Sequence, residues 1–219
     1  MKRKAGFNIR LFCPRKEPGY TAHYFTDNRN LSENRKDHSF RFSGRLFTFT
    51  TDNGVFSKTE IDEGSEILLE TMERNGIHGS ILDLGCGYGV IGITLKTLFP
   101  DTHVKMVDIN PRAVELAGIN CTRNSVECDC CVSDGLNDVQ ETFDYIITNP
   151  PIRTGKKVIY KMFEDSFAHL HENGELIAVI RRKQGAESAV KKFQEIFGNC
   201  TILERNRGFW VIQGKKLTN

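Results

Sequence analysis

The chain has no apolar run near the roughly 18 residues that a membrane-spanning helix needs, which excludes such a helix from its 219 residues. It has no surplus of charge of one sign either. Its 30 Lys and Arg against 28 Asp and Glu leave a net charge of +2. No global field draws in polyanions, so any nucleic-acid affinity must come from local clusters. There is no internal repeat and no low-complexity tract. Met1-Lys2-Arg3-Lys4 has the charge of a secretion signal, but Asn8 and Arg10 interrupt the apolar stretch that should follow. A cytoplasmic protein is expected. The seven cysteines lack metal-site spacing. Cys121, Cys128, Cys130 and Cys131 cluster, but Cys-x-Cys-Cys is no zinc knuckle and no histidine lies close in sequence. An odd cysteine count also fits no disulfide framework. They are read as small apolar residues in and beside a strand, and no metal is expected.

What is present is more telling. Ile81 to Gly89 reads Ile-Leu-Asp-Leu-Gly-Cys-Gly-Tyr-Gly, an apolar run that breaks into alternating glycines. A buried parallel strand that turns tightly into a helix, and lets a ligand touch its backbone, has this pattern. Further on, the apolar run Phe143 to Thr148 ends in Asn149-Pro150-Pro151. That tripeptide can present two carbonyl oxygens in a fixed array.

Three segments are expected. Residues 1–37 form an irregular basic arm, and residues 38–78 a hairpin and helix packed on the catalytic domain. Residues 79–215 are that domain. Phe40, Phe42, Leu46 and Phe49 around Gly44 predict two short strands. Ile61 to Met72 is spaced as a helix. From Ser80 strands and helices alternate. Strands are predicted at Ile81–Leu84, Val104–Asp108, Val126–Val132, Tyr145–Thr148 and Leu176–Ile180, with a closing pair near Cys200–Leu203 and Phe209–Ile212. Helices are predicted at Ile91–Leu98, Arg112–Arg123, Val158–His171 and Ala186–Phe197, with Asn173-Gly174 capping the third of these. This alternation implies an α/β fold: a mostly parallel sheet with helices on both faces and an antiparallel C-terminal edge.

The glycine turn discriminates between cofactors. A dinucleotide fingerprint needs glycine where the chain has Val90. Asp83 sits inside the strand, where its carboxylate repels a pyrophosphate and attracts a cationic amino group. S-adenosylmethionine carries an ammonium and a sulfonium and no phosphate, which favours it over NAD. Asp108 ends the next strand and can accept both ribose hydroxyls. Asp134, in Ser133-Asp134-Gly135, can accept an adenine amino hydrogen. Each Asp alone reads as a cap or turn residue. Three ending successive strands point to one shared site.

Asp83-Leu84-Gly85-Cys86-Gly87-Tyr88-Gly89, Asp108 and Asn149-Pro150-Pro151 together resemble the class I S-adenosylmethionine-dependent methyltransferases, with their Rossmann-like fold. Gly54-Val55-Phe56-Ser57, Gly64-Ser65 and Ile152-Arg153-x-Gly155-Lys156 extend the likeness to the RsmC/YbxB-like small-subunit ribosomal RNA guanine-N2 methyltransferases. It covers the chain from about His23 onward. The resemblance implies cofactor contacts from Phe56, Asp83, Gly85, Cys86, Gly87, Asp108, Ile109, Asn110, Asp134, Gly135 and Asn149. It implies catalysis by Asn149, Pro150 and Pro151. The expected acceptor is an exocyclic amino group, most simply guanine N2 of 16S ribosomal RNA. The expected partner is that RNA or the small ribosomal subunit, met by a monomer or a homodimer.

The chain departs from the pattern at Ile152, where such enzymes place an aromatic residue that stacks on the target base. Stacking is worth about 1–3 kcal/mol, and Phe56 or Tyr88 is expected to supply it. Lys156-Lys157, Arg181-Arg182-Lys183, Arg205 with Arg207, and Lys2-Arg3-Lys4 are the candidate RNA-backbone clusters. Adenine-N6 or protein glutamine-N5 methylation, and cofactor binding without catalysis, are the competing readings.

Overall fold

The computed structural model describes residues 34–53 and 61–218. Gly54-Val55-Phe56-Ser57 and the Lys2-Arg3-Lys4 cluster lie outside the described residues. Strands β1 (Lys36–Phe42) and β2 (Arg45–Thr51) form a hairpin. Its turn residues Ser43 and Gly44 both have positive φ, 48° and 73°. A two-residue turn of that hand matches the twist of the strands it joins. Helix α1 (Glu63–Asn75) starts where Asp62 caps it: the Asp62 carboxylate accepts the Ser65 N–H at 2.9 Å.

The alternating part follows. It comprises β3 (Ser80–Leu84), α2 (Val90–Leu98), β4 (His103–Asp108), α3 (Pro111–Arg123), β5 (Asp129–Val132) and β6 (Phe143–Thr148). Then come α4 (Lys156–Ala168), β7 (Leu170–Arg181), α5 (Ala186–Phe197), β8 (Thr201–Asn206) and β9 (Phe209–Lys215). Strands β3 to β9 form one seven-stranded sheet in the order β5-β4-β3-β6-β7-β9-β8. Pairings from β5 through β7 are parallel, β9 runs antiparallel to β7, and β8 antiparallel to β9.

Both faces of the sheet are covered because successive strand residues are apolar on both sides. Ile81, Ile147, Ile177 and Val179 join Ile67, Leu68, Ile93, Leu116 and the hairpin's Phe47 and Phe49 in one core. Leu82, Ile146, Leu176, Ala178 and Ile180 join Ile159, Phe163, Phe193 and Phe197 in the other. Each fully buried Leu, Ile or Phe stabilises the fold by roughly 1.5–3 kcal/mol.

Of the boundaries that differ from the sequence reading, two have clear local reasons. Asn173-Gly174 does not cap α4. That helix ends at His169, whose ring bonds the carbonyl oxygens of Asp165 and Val139. Asn173 and Gly174 lie inside β7 instead, exchanging backbone bonds with Lys216. Strand β5 begins at Asp129 rather than Val126, because the Val126 N–H is held by the Cys121 carbonyl at the end of α3.

The order places β3 and β6 side by side at the centre, with the chain winding outward in both directions from them. In open α/β sheets the crevice at that point, beyond the carboxyl ends of the strands, is where ligands bind.

Candidate active site

The parallel strands bring Leu84, Asp108, Val132 and Thr148 to one edge, so the sequence-predicted segments meet there. After β3 the backbone turns through Gly85, Gly87 and Gly89, all at positive φ (78°, 57° and 94°). Residues with a Cβ rarely adopt that conformation. A Cβ built on Gly85, Gly87 or Gly135 meets nothing within 4 Å. These three glycines therefore leave their backbone open on that side. Gly92 has the opposite role: a Cβ there would sit 2.6 Å from the Met106 sulfur, so glycine lets α2 close onto the sheet.

Asp83 is fully buried. One carboxylate oxygen accepts the Gly92 N–H at 2.8 Å, while the other is buried with no hydrogen-bond partner. Burial pushes its carboxyl up to about 7, the Gly92 bond works against this, and the nearby Asp108 charge adds to it. Asp108 is half-buried and bridges two loops: Oδ2 accepts the Gly87 N–H at 2.8 Å and Oδ1 the Asn110 N–H at 2.9 Å. Burial raises its carboxyl above the ordinary range, against the opposing N–H groups of Asn110, Gly87 and Ile109. Asn110 caps α3 by accepting the Arg112 N–H. Ile109 is half-buried beside it, and Asp134 is exposed next to Gly135. Cys86 packs into the core, and burial pushes its thiol well up, with the Asp83 and Asp108 charges adding to this. Cys121 and Cys130 are likewise raised, through thiol–thiol hydrogen bonding and burial.

Asn149 is half-buried just beyond β6. Its Nδ2 donates to Asp62 Oδ2 at 2.5 Å and to Ser65 Oγ at 3.0 Å. The Pro151 carbonyl is taken by the N–H and Oγ of Thr154 at 3.0 and 2.7 Å. Among the described residues no donor takes the Pro150 carbonyl. Among the described residues no donor takes the Asn149 amide oxygen either, so the tripeptide keeps two side-by-side acceptors. Thr148 anchors the segment by donating its hydroxyl to the Leu84 carbonyl at 2.8 Å.

Two expectations change, those for Tyr88 and Arg207. Tyr88 is not a base-stacking residue: it is buried and packs edge-on against Phe49, centroids 5.8 Å apart. Phe56 lies outside the described residues. Arg207 is committed to Glu66 at 2.7 Å and Glu70 at 3.5 Å, so it drops out of the free basic set. Arg181 and Arg205 instead lie over the rings of Phe209 and Trp210, at 5.3 and 4.8 Å. Arg181 pairs with Phe209 across the β7–β9 ladder, on the same edge as Asn149.

Sequence reasoning missed Asp62 as an Asn149 partner, although its spacing three residues before Ser65 is a capping pattern. It also missed Asn120, near the end of α3, and Asn124, which caps that helix. Fully buried Asn120 accepts the Thr50 N–H at 2.7 Å and donates to the carbonyl oxygens of Thr50 and Tyr88. Asn124 pairs with Thr48 in the same way. Side-chain amides here extend the ladder of β2 and tie the hairpin to the glycine turn. At the hairpin's exit, buried Asp52 pairs with Arg112 at 2.8 Å. Although burial pushes its carboxyl up, N–H bonds from Asn34 and Asn53 together with Arg112 hold it below the ordinary range.

The chain is similar to known proteins. A family model described as "Methyltransferase small domain" matches residues 46–213. The chain is 43% identical over 200 residues to the uncharacterized protein YbxB of Bacillus subtilis, covering 90% of this chain and 100% of that protein. It is 31% identical to the ribosomal RNA small subunit methyltransferase C of Aliivibrio salmonicida, covering 85% of this chain and 55% of the relative. A 16S rRNA N2 methyltransferase (RsmC) of T. thermophilus, solved with AdoMet and guanosine, superposes with a TM-score of 0.76 at 25% identity. That match covers 83% of this chain and 50% of the other. The chain thus spans about half the length of the RsmC relatives. With a family model running from the hairpin to β9, across the glycine turn and Asn149-Pro150-Pro151, the chain belongs to the methyltransferase small domain family.

Proposed function

We propose that the protein transfers a methyl group from S-adenosylmethionine to an exocyclic amino group of a nucleobase, guanine N2 of 16S ribosomal RNA. A ribosomal substrate places this work in the cytoplasm. The observation that carries the reading is the pair of acceptors without a donor among the described residues, Asn149 Oδ1 and the Pro150 carbonyl, at the edge that also holds the glycine turn. The RsmC structure with AdoMet and guanosine supports the same ligands.

The residues fit the cofactor. The unpartnered oxygen of Asp83 is a buried acceptor suited to a cation. Open space over Gly85, Gly87 and Gly135 suits an adenosine moiety lying against backbone, and Asp108 and Asp134 suit the ribose and the adenine. When bound, S-adenosylmethionine supplies a sulfonium methyl whose C–S bond breaks as the amine nitrogen forms its new N–C bond, leaving a neutral thioether. The protein's part is placement. An exocyclic guanine amine shares its lone pair with the ring and is a poor nucleophile. Two acceptors on its two hydrogens rotate the lone pair out of conjugation and aim it. The Pro151 ring fixes its own φ and disfavours helical backbone at Pro150, which holds the Pro150 carbonyl in direction. The nitrogen then loses one proton to water, so no titratable base is required and rate comes from proximity and fixed dipoles.

Asp108→Ala should weaken binding of S-adenosylhomocysteine by about 1–3 kcal/mol, because the ribose hydroxyls lose a charged acceptor. Calorimetry showing an unchanged dissociation constant would move the ribose elsewhere.

The RNA-facing surface is read from Arg181, Lys183 and Arg205 beside Phe209 and Trp210. Bases stack on guanidinium planes as they do on aromatic rings. The double variant Arg181→Ala/Arg205→Ala should bind single-stranded RNA more weakly. Its slope of log K against log salt should be shallower by roughly 1–2. An unchanged slope by fluorescence anisotropy would place the RNA on another face.

A further inference from the structure

We propose that Asp62 is a positioning residue, which locks the Asn149 amide so that only its oxygen can face the acceptor. This deepens the amino-methylation reading and rests on it. An amide can turn by half a rotation at little cost in free space, and the two orientations offer a substrate opposite chemistry: one an acceptor, the other a donor. A carboxylate only accepts, so whatever lies against Asp62 must be the NH₂ end. The structure provides three linked bonds there. Asn149 Nδ2 donates to Asp62 Oδ2 at 2.5 Å and to Ser65 Oγ at 3.0 Å, and the Ser65 hydroxyl donates onward to Asp62 Oδ2 at 3.2 Å. Ser65 is buried and its own N–H is held by the same carboxylate oxygen at 2.9 Å. Both Nδ2 hydrogens have partners, and neither partner has another orientation that satisfies the set.

The station is built into the fold. Asp62 stands at the N-terminus of α1, between the hairpin and the alternating part of the chain, and the contact joins residues 87 apart. Gly64 makes the room: a Cβ there would lie 3.0 Å from the Phe209 ring and 3.2 Å from Asp62 Oδ2. The consequence is selective. A locked Asn149 offers an acceptor and nothing else, so the site takes a group bearing two N–H bonds and rejects a carbonyl in the same place.

Because Asp62 also caps α1, the test must separate the cap from the lock. Asn and Ser cap a helix about as well as Asp. Asn keeps an oxygen of the same reach toward Asn149, whereas the Ser hydroxyl is too short. A pure capping role predicts equal activity for Asp62→Asn and Asp62→Ser. The lock predicts that Asp62→Asn stays within roughly tenfold of wild-type turnover. Asp62→Ser falls on the order of 10²-fold in kcat, since the acceptor amine is misplaced. Melting temperature and affinity for S-adenosylhomocysteine should match between the two. Equal turnover in both variants would overturn the proposal. A second measurement needs no variant activity: the Asn149 side-chain ¹⁵N–¹H₂ pair in the wild-type protein, assigned by its loss in Asn149→Ala. It should show slow exchange and two widely separated proton shifts. A free-amide signature would overturn the lock, whatever acceptor the enzyme proves to methylate.

Discussion

Asn149→Ala lowers methyl transfer by on the order of 10²–10³ while leaving affinity for S-adenosylhomocysteine nearly intact. The split follows from where the side chain points. Its NH₂ is held by Asp62 and Ser65, and among the described residues its oxygen, like the Pro150 carbonyl, has no donor. An acceptor that grips the nucleophile contributes most in the transition state, so its loss appears in kcat. The adenosine lies by this account against Asp108, Asp134 and the glycine turn, which the substitution leaves alone. Asn149→Asp should be less damaging than alanine at low pH, because it keeps an acceptor. Turnover on small ribosomal subunits, with cofactor affinity measured on each variant, checks both. Wild-type turnover in Asn149→Ala would reduce Asn149-Pro150-Pro151 to a rigid turn.

Asp83→Asn should raise the stability of the cofactor-free protein at pH 7 and weaken cofactor binding. The folded-state carboxyl titrates near 7, while in the unfolded chain an aspartate titrates near 3.9. Between those values the unfolded state has released its proton and the folded state still holds it. The unfolded state binds fewer protons, so stability falls as pH rises through this window. The loss accumulates to on the order of 4 kcal/mol by pH 7, at about 1.4 kcal/mol per unit. Asparagine removes that slope. Urea unfolding of both proteins at pH 5 and pH 7 reads it: the difference in favour of Asp83→Asn should grow with pH. A difference that is the same at both pH values would contradict a carboxyl kept neutral by burial. A cationic amino group set against the unpartnered oxygen restores the ionised form. Cofactor binding near pH 6 should therefore release protons in the wild type and fewer in Asp83→Asn.

The chemistry of the site was legible where one residue type has one use. Glycines at 85, 87 and 89 need positive φ, and the strands ending at Asp83-Leu84, Asp108 and Thr148 are apolar runs between turns, so their meeting at one edge follows from the βα alternation. Long-range polar partners were not legible. Asp62 and Asn149 are 87 residues apart, and no periodicity connects them. Asn120 and Asn124 look like ordinary polar residues in a helix until β2 is laid beside them. Tyr88 misled for a related reason: it stands in the glycine turn, yet hydrophobic burial against Phe49 outweighs exposure toward a ligand. Asn173-Gly174 has the composition of a helix cap, but its backbone pairs with Lys216 and carries β7 through instead.

The most direct test is transfer from methyl-labelled S-adenosylmethionine to small ribosomal subunits and to free 16S RNA, followed by digestion to nucleosides. The account predicts label in N2-methylguanosine, lowered by on the order of 10²–10³ in the Asn149→Ala reaction. Label in N6-methyladenosine or in ribosomal protein, or no transfer to either substrate, would contradict it.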